Sequence, residues 1–329
     1  MIDGLSTREG SCFGFGIRSE LPMNYLRDGS GALLEIHLAE SAPRIRSAQQ
    51  IVEWIPTPQR PLRARLYHDG GRYSLWIDDG GWFVIDADGG RIEVPPDVDP
   101  LRREERLWGL PTALCFLARG DRSLHASAVE VHGQAILLAG PSRHGKTTLA
   151  AGFLGNGFRV LTEDVSCYRI TNLPVLFPGP SMLRVRRDVA DRMTLPNARL
   201  IAEDQDRSHF VLDAAMRGDS SPIPIGGIIF LKDHGDQIEF ERVSVLSALP
   251  DLWLLSLHLP TNEDRAEAFE AISALADKVP AWNLVRPTTI GALPDVVHAI
   301  TKLVERSKSD RESVALTKSP TSGVASFLD

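Results

Sequence analysis

Two periods of apolar residues divide the chain. Over residues 10–100 apolar and polar positions alternate and glycines interrupt them, the period-2 pattern of half-buried strands. Within this region RYSLWIDDGGWFVIDADGGRIEV predicts three short strands joined by Asp-Gly turns, a β-meander. From Leu101 the spacing turns helical: LRREERLWGLPTALCFLARG starts with charges, ends on a glycine, and predicts one linking helix over 101–120. Next, LHASAVEV, a His-Gly turn at 132–133 and QAILLAG predict a hairpin. Strands are expected at FRVLTED, VSCYRI and MLRVRR, with a helix at RDVADRM. The segments IGGIIFLKD and QIEFERV are expected to pair. VSVLSALPDLWLLSL and EDRAEAFEAISALADKV read as amphipathic helices, WNLVRP as a strand, and GALPDVVHAITKLVERS as the last helix. The pattern is that of an α/β protein: a β-rich N-terminal domain (1–100), the linking helix (101–120), a second domain (121–306) and a disordered tail (307–329) rich in Ser, Lys and Thr.

With 329 residues the chain is long enough for a sizeable core and two domains. A net charge of −7 argues against a nucleic-acid surface, which needs clustered Lys and Arg. No apolar run approaches the roughly 20 residues of a membrane span, and MIDGLSTREG has no apolar signal core, so a cytoplasmic protein without a membrane partner is expected. Cys12, Cys115 and Cys167 are odd in number and far apart, which suits buried reduced thiols rather than disulfides or zinc. Asp78, Asp79, Asp86 and Asp88 lack calcium-loop spacing and read as turn residues.

Candidate chemistry begins at LLAGPSRHGKTTLAAGF. Gly140, four residues, Gly145, Lys146 and Thr147 follow an apolar strand and open a helix. That is the layout of a phosphate-binding loop: backbone N–H groups and a helix N-terminus converge on phosphate, a lysine neutralises its outer charge, and a Thr hydroxyl holds magnesium. Gly140, Ser142, Arg143, His144, Gly145, Lys146, Thr147 and Thr148 are the expected nucleotide contacts, although Arg143 and His144 are bulky for such a loop. No Asn-Lys-x-Asp guanine motif is present. Glu163 and Asp164 close the strand RVLTED, at the end where ligands bind an α/β sheet. His125 lies fifteen positions before Gly140, and nothing local marks it for chemistry.

Residues 124–170, from LHASAVEV through the loop to TEDVSCYRI, resemble the catalytic core of the HPr serine kinase/phosphorylase family, in which a histidine precedes a hairpin, the phosphate loop and an acidic pair. LFPGPSMLRVRRDVADRM, GGIIFLKD and VPAWNLVRPTTIGALPDVVHAI resemble later segments, so the likeness spans about 120–305. It implies a P-loop kinase core related to phosphoenolpyruvate carboxykinase, with ATP and magnesium as cofactors and a serine hydroxyl as acceptor. Position by position, Lys146 and Thr147 become phosphate and magnesium ligands and Asp164 the metal-associated acid. Glu163 matches the base that takes the acceptor's proton, and His125 the histidine that orients this base. Two departures are visible: the family's base is an aspartate, about 1 Å shorter in reach, and the Glu-Ile-Arg-Gly-x-Gly signature of the dephosphorylating activity is missing after Ile170. The chain therefore looks like the divergent relatives that phosphorylate a serine of a ribosomal precursor peptide, notably in lasso-peptide pathways. Arg184, Arg186 and Arg207 are candidates to clamp the transferring phosphoryl group, with Arg207 preferred. The expected partner is a peptide or small-protein acceptor; a small-molecule hydroxyl kinase and a non-catalytic nucleotide-binding module are the alternatives, and a homo-oligomer is compatible with all three. The stretches PRIRS and RPLRARLY, with Arg44, Arg46, Arg63 and Arg65, offer a basic strand edge to an acidic acceptor segment.

Overall fold

A computed structural model of the chain describes residues 8–45, 47–55 and 63–317, with backbone alone at 8 and 310–317. Eight strands make the N-terminal sheet: β1 (Arg8–Cys12), β2 (Phe15–Ser19), β3 (Ala32–Leu38), β4 (Gln49–Trp54), β5 (Ala64–His68), β6 (Arg72–Ile77), β7 (Gly81–Asp86) and β8 (Arg91–Val94). Their order is β1-β2-β3-β8-β7-β6-β5-β4, and the meander of β6, β7 and β8 lies where the Asp-Gly turns predict it. The four aspartates serve turns and ion pairs: Asp88 accepts from the Gly90 N–H at 2.9 Å, and Asp86 pairs with Arg72 at 3.0 Å. Arg63 and Arg65 pair with Glu53 at 3.4 and 3.1 Å, so part of the basic edge is already neutralised; Arg46 lies outside the described residues.

The single helix expected over 101–120 is two, α1 (Pro100–Leu107) and α2 (Leu110–Ala118). Gly109 takes the N-cap position of the second, and Pro111, which has no N–H to give, fits a first turn but not a helix interior. The charged start of α1 is also not a solvated face. Glu104 and Glu105 are buried. Glu104 accepts from the Asn24 and Tyr25 N–H groups at 2.9 and 3.0 Å, which ties α1 to the N-terminal sheet.

After α2 come β9 (Arg122–Leu124), β10 (Ala126–Val131), β11 (Gln134–Ala139), α3 (Lys146–Gly155), β12 (Val160–Thr162), β13 (Ser166–Arg169) and β14 (Val175–Phe177). Next are β15 (Met182–Arg186), α4 (Arg187–Ala190), β16 (Ala198–Glu203), β17 (Arg207–Leu212), α5 (Ala214–Arg217), β18 (Ile223–His234) and β19 (Glu239–Val243). The chain continues through α6 (Val245–Leu255), α7 (Asn262–Lys278), β20 (Ala281–Arg286) and α8 (Leu293–Thr317). In the nine-stranded sheet β11 runs parallel to β18, and β18 parallel to β20. The direct pairing expected between β18 and β19 does not occur: β20 inserts between them and pairs with both. That partner is about forty residues later in the chain, and local periodicity carries no information about it. A separate three-stranded sheet has the order β15-β17-β16. The tail expected to lose order after residue 306 instead stays helical to Thr317, and residues 318–329 lie outside the described residues.

Apolar residues of α3, β11, β18, β20 and α8, among them Leu149, Leu138, Ile229, Leu284 and Val297, form one core between sheet and helices. The core of the N-terminal sheet does not stop near residue 100. It takes in Trp108 and Phe116 from the helices and Cys167, Phe177 and Met182 from the later strands. Arg27, 1% exposed, crosses the same boundary and donates to the carbonyls of Gly179 (2.6 Å), Leu161 (2.9 Å) and Val160 (3.1 Å). All three cysteines are buried and free. No described helix is long and apolar enough to cross a membrane.

Candidate phosphate and acceptor site

The loop between β11 and α3 opens at the C-terminal end of a buried parallel strand pair, β11 with β18, where helix N-termini and strand ends meet. Gly145 has φ +81°, the left-handed region open to glycine, and caps α3 without any side-chain help. Lys146, Thr147 and Thr148 therefore begin the helix with N–H groups that have no intrahelical acceptor; the first such bond is from the Leu149 N–H to the Gly145 carbonyl, 2.9 Å. Arg143, exposed, also has a positive φ of 68°, which costs a bulky residue on the order of 1 kcal/mol. His144 is half-buried: its N–H reaches the Pro141 carbonyl at 3.4 Å, its Nδ1 lies 3.2 Å from the Ser142 carbonyl, and its Nε2 lies 4.0 Å from the exposed Asp233. Gly140, Ser142 and Thr148 complete the loop and first turn, Gly140 buried and the other two half-buried.

Lys146 is buried, and its Nζ donates to the Gly140 and Pro141 carbonyls at 2.8 and 3.0 Å. It also lies 3.0 Å from His125 Nε2. Burial lowers the lysine pKa, while Asp164 and Glu163 oppose that shift.

Glu163 and Asp164 follow β12, and polar side chains fix their backbone. Ser127 donates to the Glu163 carbonyl, and Thr162 Oγ1 donates to the Val165 carbonyl at 2.6 Å. The two acids then diverge. Glu163 points inward, with a side chain 1% exposed; Thr147 Oγ1 donates to its Oε1 at 3.3 Å and Arg184 Nε to its Oε2 at 2.7 Å. Burial raises the Glu163 pKa against the pull of Arg184. Asp164 points outward, 43% exposed, with Oδ1 3.3 Å from His125 Nδ1 and Oδ2 3.9 Å from Arg184. Desolvation raises its pKa, but His125, Arg184, Lys146 and Arg207 outweigh that and bring it down to about 2.

The structure thus brings His125, Lys146, Thr147, Glu163 and Asp164 to one place, and it partners them differently from what the family likeness implies. The likeness implies that His125 orients Glu163; in the structure its carboxylate neighbour is Asp164. The reason is that Glu163 is taken by Arg184 and Thr147 beneath the surface. Arg207, preferred among the arginines, is exposed, donates to the Arg184 carbonyl at 2.8 Å and comes only within 3.9 Å of Glu163. Arg186 pairs with Asp188 away from the acids. Arg184 is the arginine inside the site. Glu105, from the helix read as a linker, lies 3.9 Å from Arg184 Nη1 and bonds His209 Nδ1, whose Nε2 is 3.1 Å from Asp204. Its position in LRREERL gave no sign of this, because an amphipathic charged turn looks the same whether it faces water or a buried cation.

Oxygen donors suit magnesium, and Thr147 with Glu163 offers two of them. Among the described residues no cluster of three His, Cys, Asp or Glu could hold a metal alone. A magnesium ion there would need phosphate oxygens and water to complete its shell, as such ions at nucleotide sites do.

No family model matches the sequence, and no curated protein matches it. Among solved structures, the Hpr(Ser) kinase/phosphatase from Coxiella burnetii aligns with 58% of this chain and 98% of its own, at 11% identity and a TM-score of 0.31. At that score the likeness decides nothing, and the chain's own residues have to carry the chemistry.

Proposed function

We propose that the protein is an ATP-dependent phosphotransferase that moves the γ-phosphoryl group to a hydroxyl, with a serine of a peptide or small protein as the acceptor. The observation that carries this reading is the divergence of two adjacent acids around one loop: Glu163 turns in to Thr147 and Arg184, while Asp164 turns out to His125. Phosphoryl transfer needs both kinds of acid, one on the metal side and one facing the incoming nucleophile.

The geometry supports exchanging the roles that the family likeness suggests. A general base must first be within reach of the proton it takes, and only then does its pKa matter. Glu163, with its raised pKa, has the better basicity but no path to an acceptor, since its oxygens are covered by Arg184 and Thr147. Asp164 is half-exposed and held ionised by its cation partners. Asp164 thus orients the acceptor hydroxyl and accepts its proton late, in a loose transition state that asks little of the base. His125 fixes the carboxylate in that direction. Glu163 and Thr147 would hold magnesium, which neutralises charge on the phosphates when bound. Lys146 leaves the Gly140 and Pro141 carbonyls for the outer phosphates, and the free N–H groups at the start of α3 add positive potential. A precursor peptide for a ribosomally made product is the acceptor this reading favours, on the family likeness alone.

The test is transfer itself. Full-length protein with γ-labelled ATP, magnesium and a library of serine-containing peptides should label serine, and Lys146→Ala should abolish the labelling. ATP turnover that survives in Lys146→Ala would remove the loop from the chemistry. Label that appears only on small hydroxyl compounds would keep the reaction and discard the peptide.

A further inference from the structure

Arg286 ends β20, and the parallel register of β20 with β18, and of β18 with β11, brings it beneath the loop at the other end of the sheet edge from the acids. Its Nη2 donates to the His144 carbonyl at 2.9 Å. The residue is 5% exposed, and its Nε is buried with no hydrogen-bond partner among the described residues. A Cβ placed on Gly145 would lie 2.8 Å from Arg286 Nη2, so the guanidinium lies directly against the residue that caps α3.

Two other cations of the site, Lys146 and Arg184, have acids. Lys146 feels Asp164 and Glu163, and Arg184 is bonded to Glu163. Arg286 forms no ion pair with a carboxylate among the described residues, and burial lowers its pKa. An arginine taken out of water is normally paired, because the charge is otherwise strongly disfavoured there. Here it is also placed beside helix N–H groups that carry positive potential of their own. Two sources of positive potential, Arg286 and the start of α3, meet at Gly145, the residue after which Lys146 follows. A bound polyanion removes that imbalance.

We infer that Arg286 is a binding residue for the phosphates of a nucleoside di- or triphosphate, one nitrogen holding the His144 carbonyl and the remaining donors taking phosphate oxygens. This rests on reading residues 140–147 as a phosphate loop. It adds a bidentate cation on the side of the loop away from Glu163, suited to phosphate because the guanidinium fork presents parallel donors that a lysine lacks.

The experiment measures binding of inorganic pyrophosphate and of ADP with magnesium to the full chain by calorimetry, in wild type, Arg286→Met and Arg286→Lys. Arg286→Met, which keeps most of the side-chain volume, should weaken both ligands by roughly 10- to 100-fold, the scale of lost hydrogen bonds to a charged group. Arg286→Lys should recover only part of that. In wild type labelled with ¹⁵N-arginine, the Arg286 Nε resonance should move on adding pyrophosphate. Variants that bind as wild type does, even with a lowered melting temperature, would leave Arg286 a mere clamp on His144 and overturn the inference while the loop reading stands. Should Arg286→Met fail to fold, an Arg286 Nε signal unmoved by saturating pyrophosphate overturns it equally. Wild type that binds neither pyrophosphate nor ADP refutes the loop reading, and the inference with it.

Discussion

Arg184 Nε lies 2.7 Å from Glu163 Oε2, and the two side chains are 14% and 1% exposed. This buried pair connects the three-stranded sheet to the end of β12 and holds one acid away from the surface while its neighbour faces out. Arg184→Met should therefore leave Glu163 without its bonded cation and destabilise the protein by about 3–5 kcal/mol, the usual cost of breaking a buried pair. Adding Glu163→Gln to that variant should restore part of the loss. Urea unfolding of the two single variants and the double variant gives the coupling directly, and additive effects would mean that the pair contributes nothing of its own.

The two acids should fail in different ways. Asp164→Asn should keep nucleotide and magnesium affinity and lose about 10²-fold or more in transfer rate, the scale of a general base. Glu163→Gln should instead raise the magnesium concentration needed for half-maximal rate. Titrating magnesium for each variant separates them. The reverse pattern would return the base to Glu163.

His209 makes stability depend on pH. The Glu105 carboxylate, against some desolvation, raises the His209 pKa above the usual imidazole value. A group whose folded pKa is raised adds stability that is complete below its unfolded pKa, about 6.5, and is lost as pH rises through the folded value. Unfolding free energy should thus fall as the solution moves from slightly acid to alkaline, and His209→Gln should flatten that slope. Urea midpoints measured across this range provide the check; a slope unchanged in His209→Gln would assign it to other groups.

A chain beginning near residue 100 should not fold cooperatively. Truncation removes Phe13 and Arg27, leaving Val160, Leu161 and Gly179 carbonyls without the guanidinium that satisfies them. Because Val160 and Leu161 lead straight into Glu163, the site should be lost along with the core. A sharp thermal transition in the shortened protein would show that residues 1–100 are a separable unit.

Local order was legible in the sequence. The meander of β6, β7 and β8 follows from alternation and Asp-Gly turns, and the loop that opens α3 follows from glycine spacing, since each depends on interactions between near neighbours. The family likeness, rather than any local pattern, picked out His125. The tertiary structure alone decided the partners. The sequence places Glu163 and Asp164 side by side, but which one turns inward depends on Arg184, 21 positions after Glu163, and on Glu105, far earlier. Likewise Arg286 meets the loop only because β20 slots between β18 and β19, a pairing made across the chain. Periodicity records which face of an element is buried; it holds no record of what buries it, and the electrostatics of this site are set by that second fact.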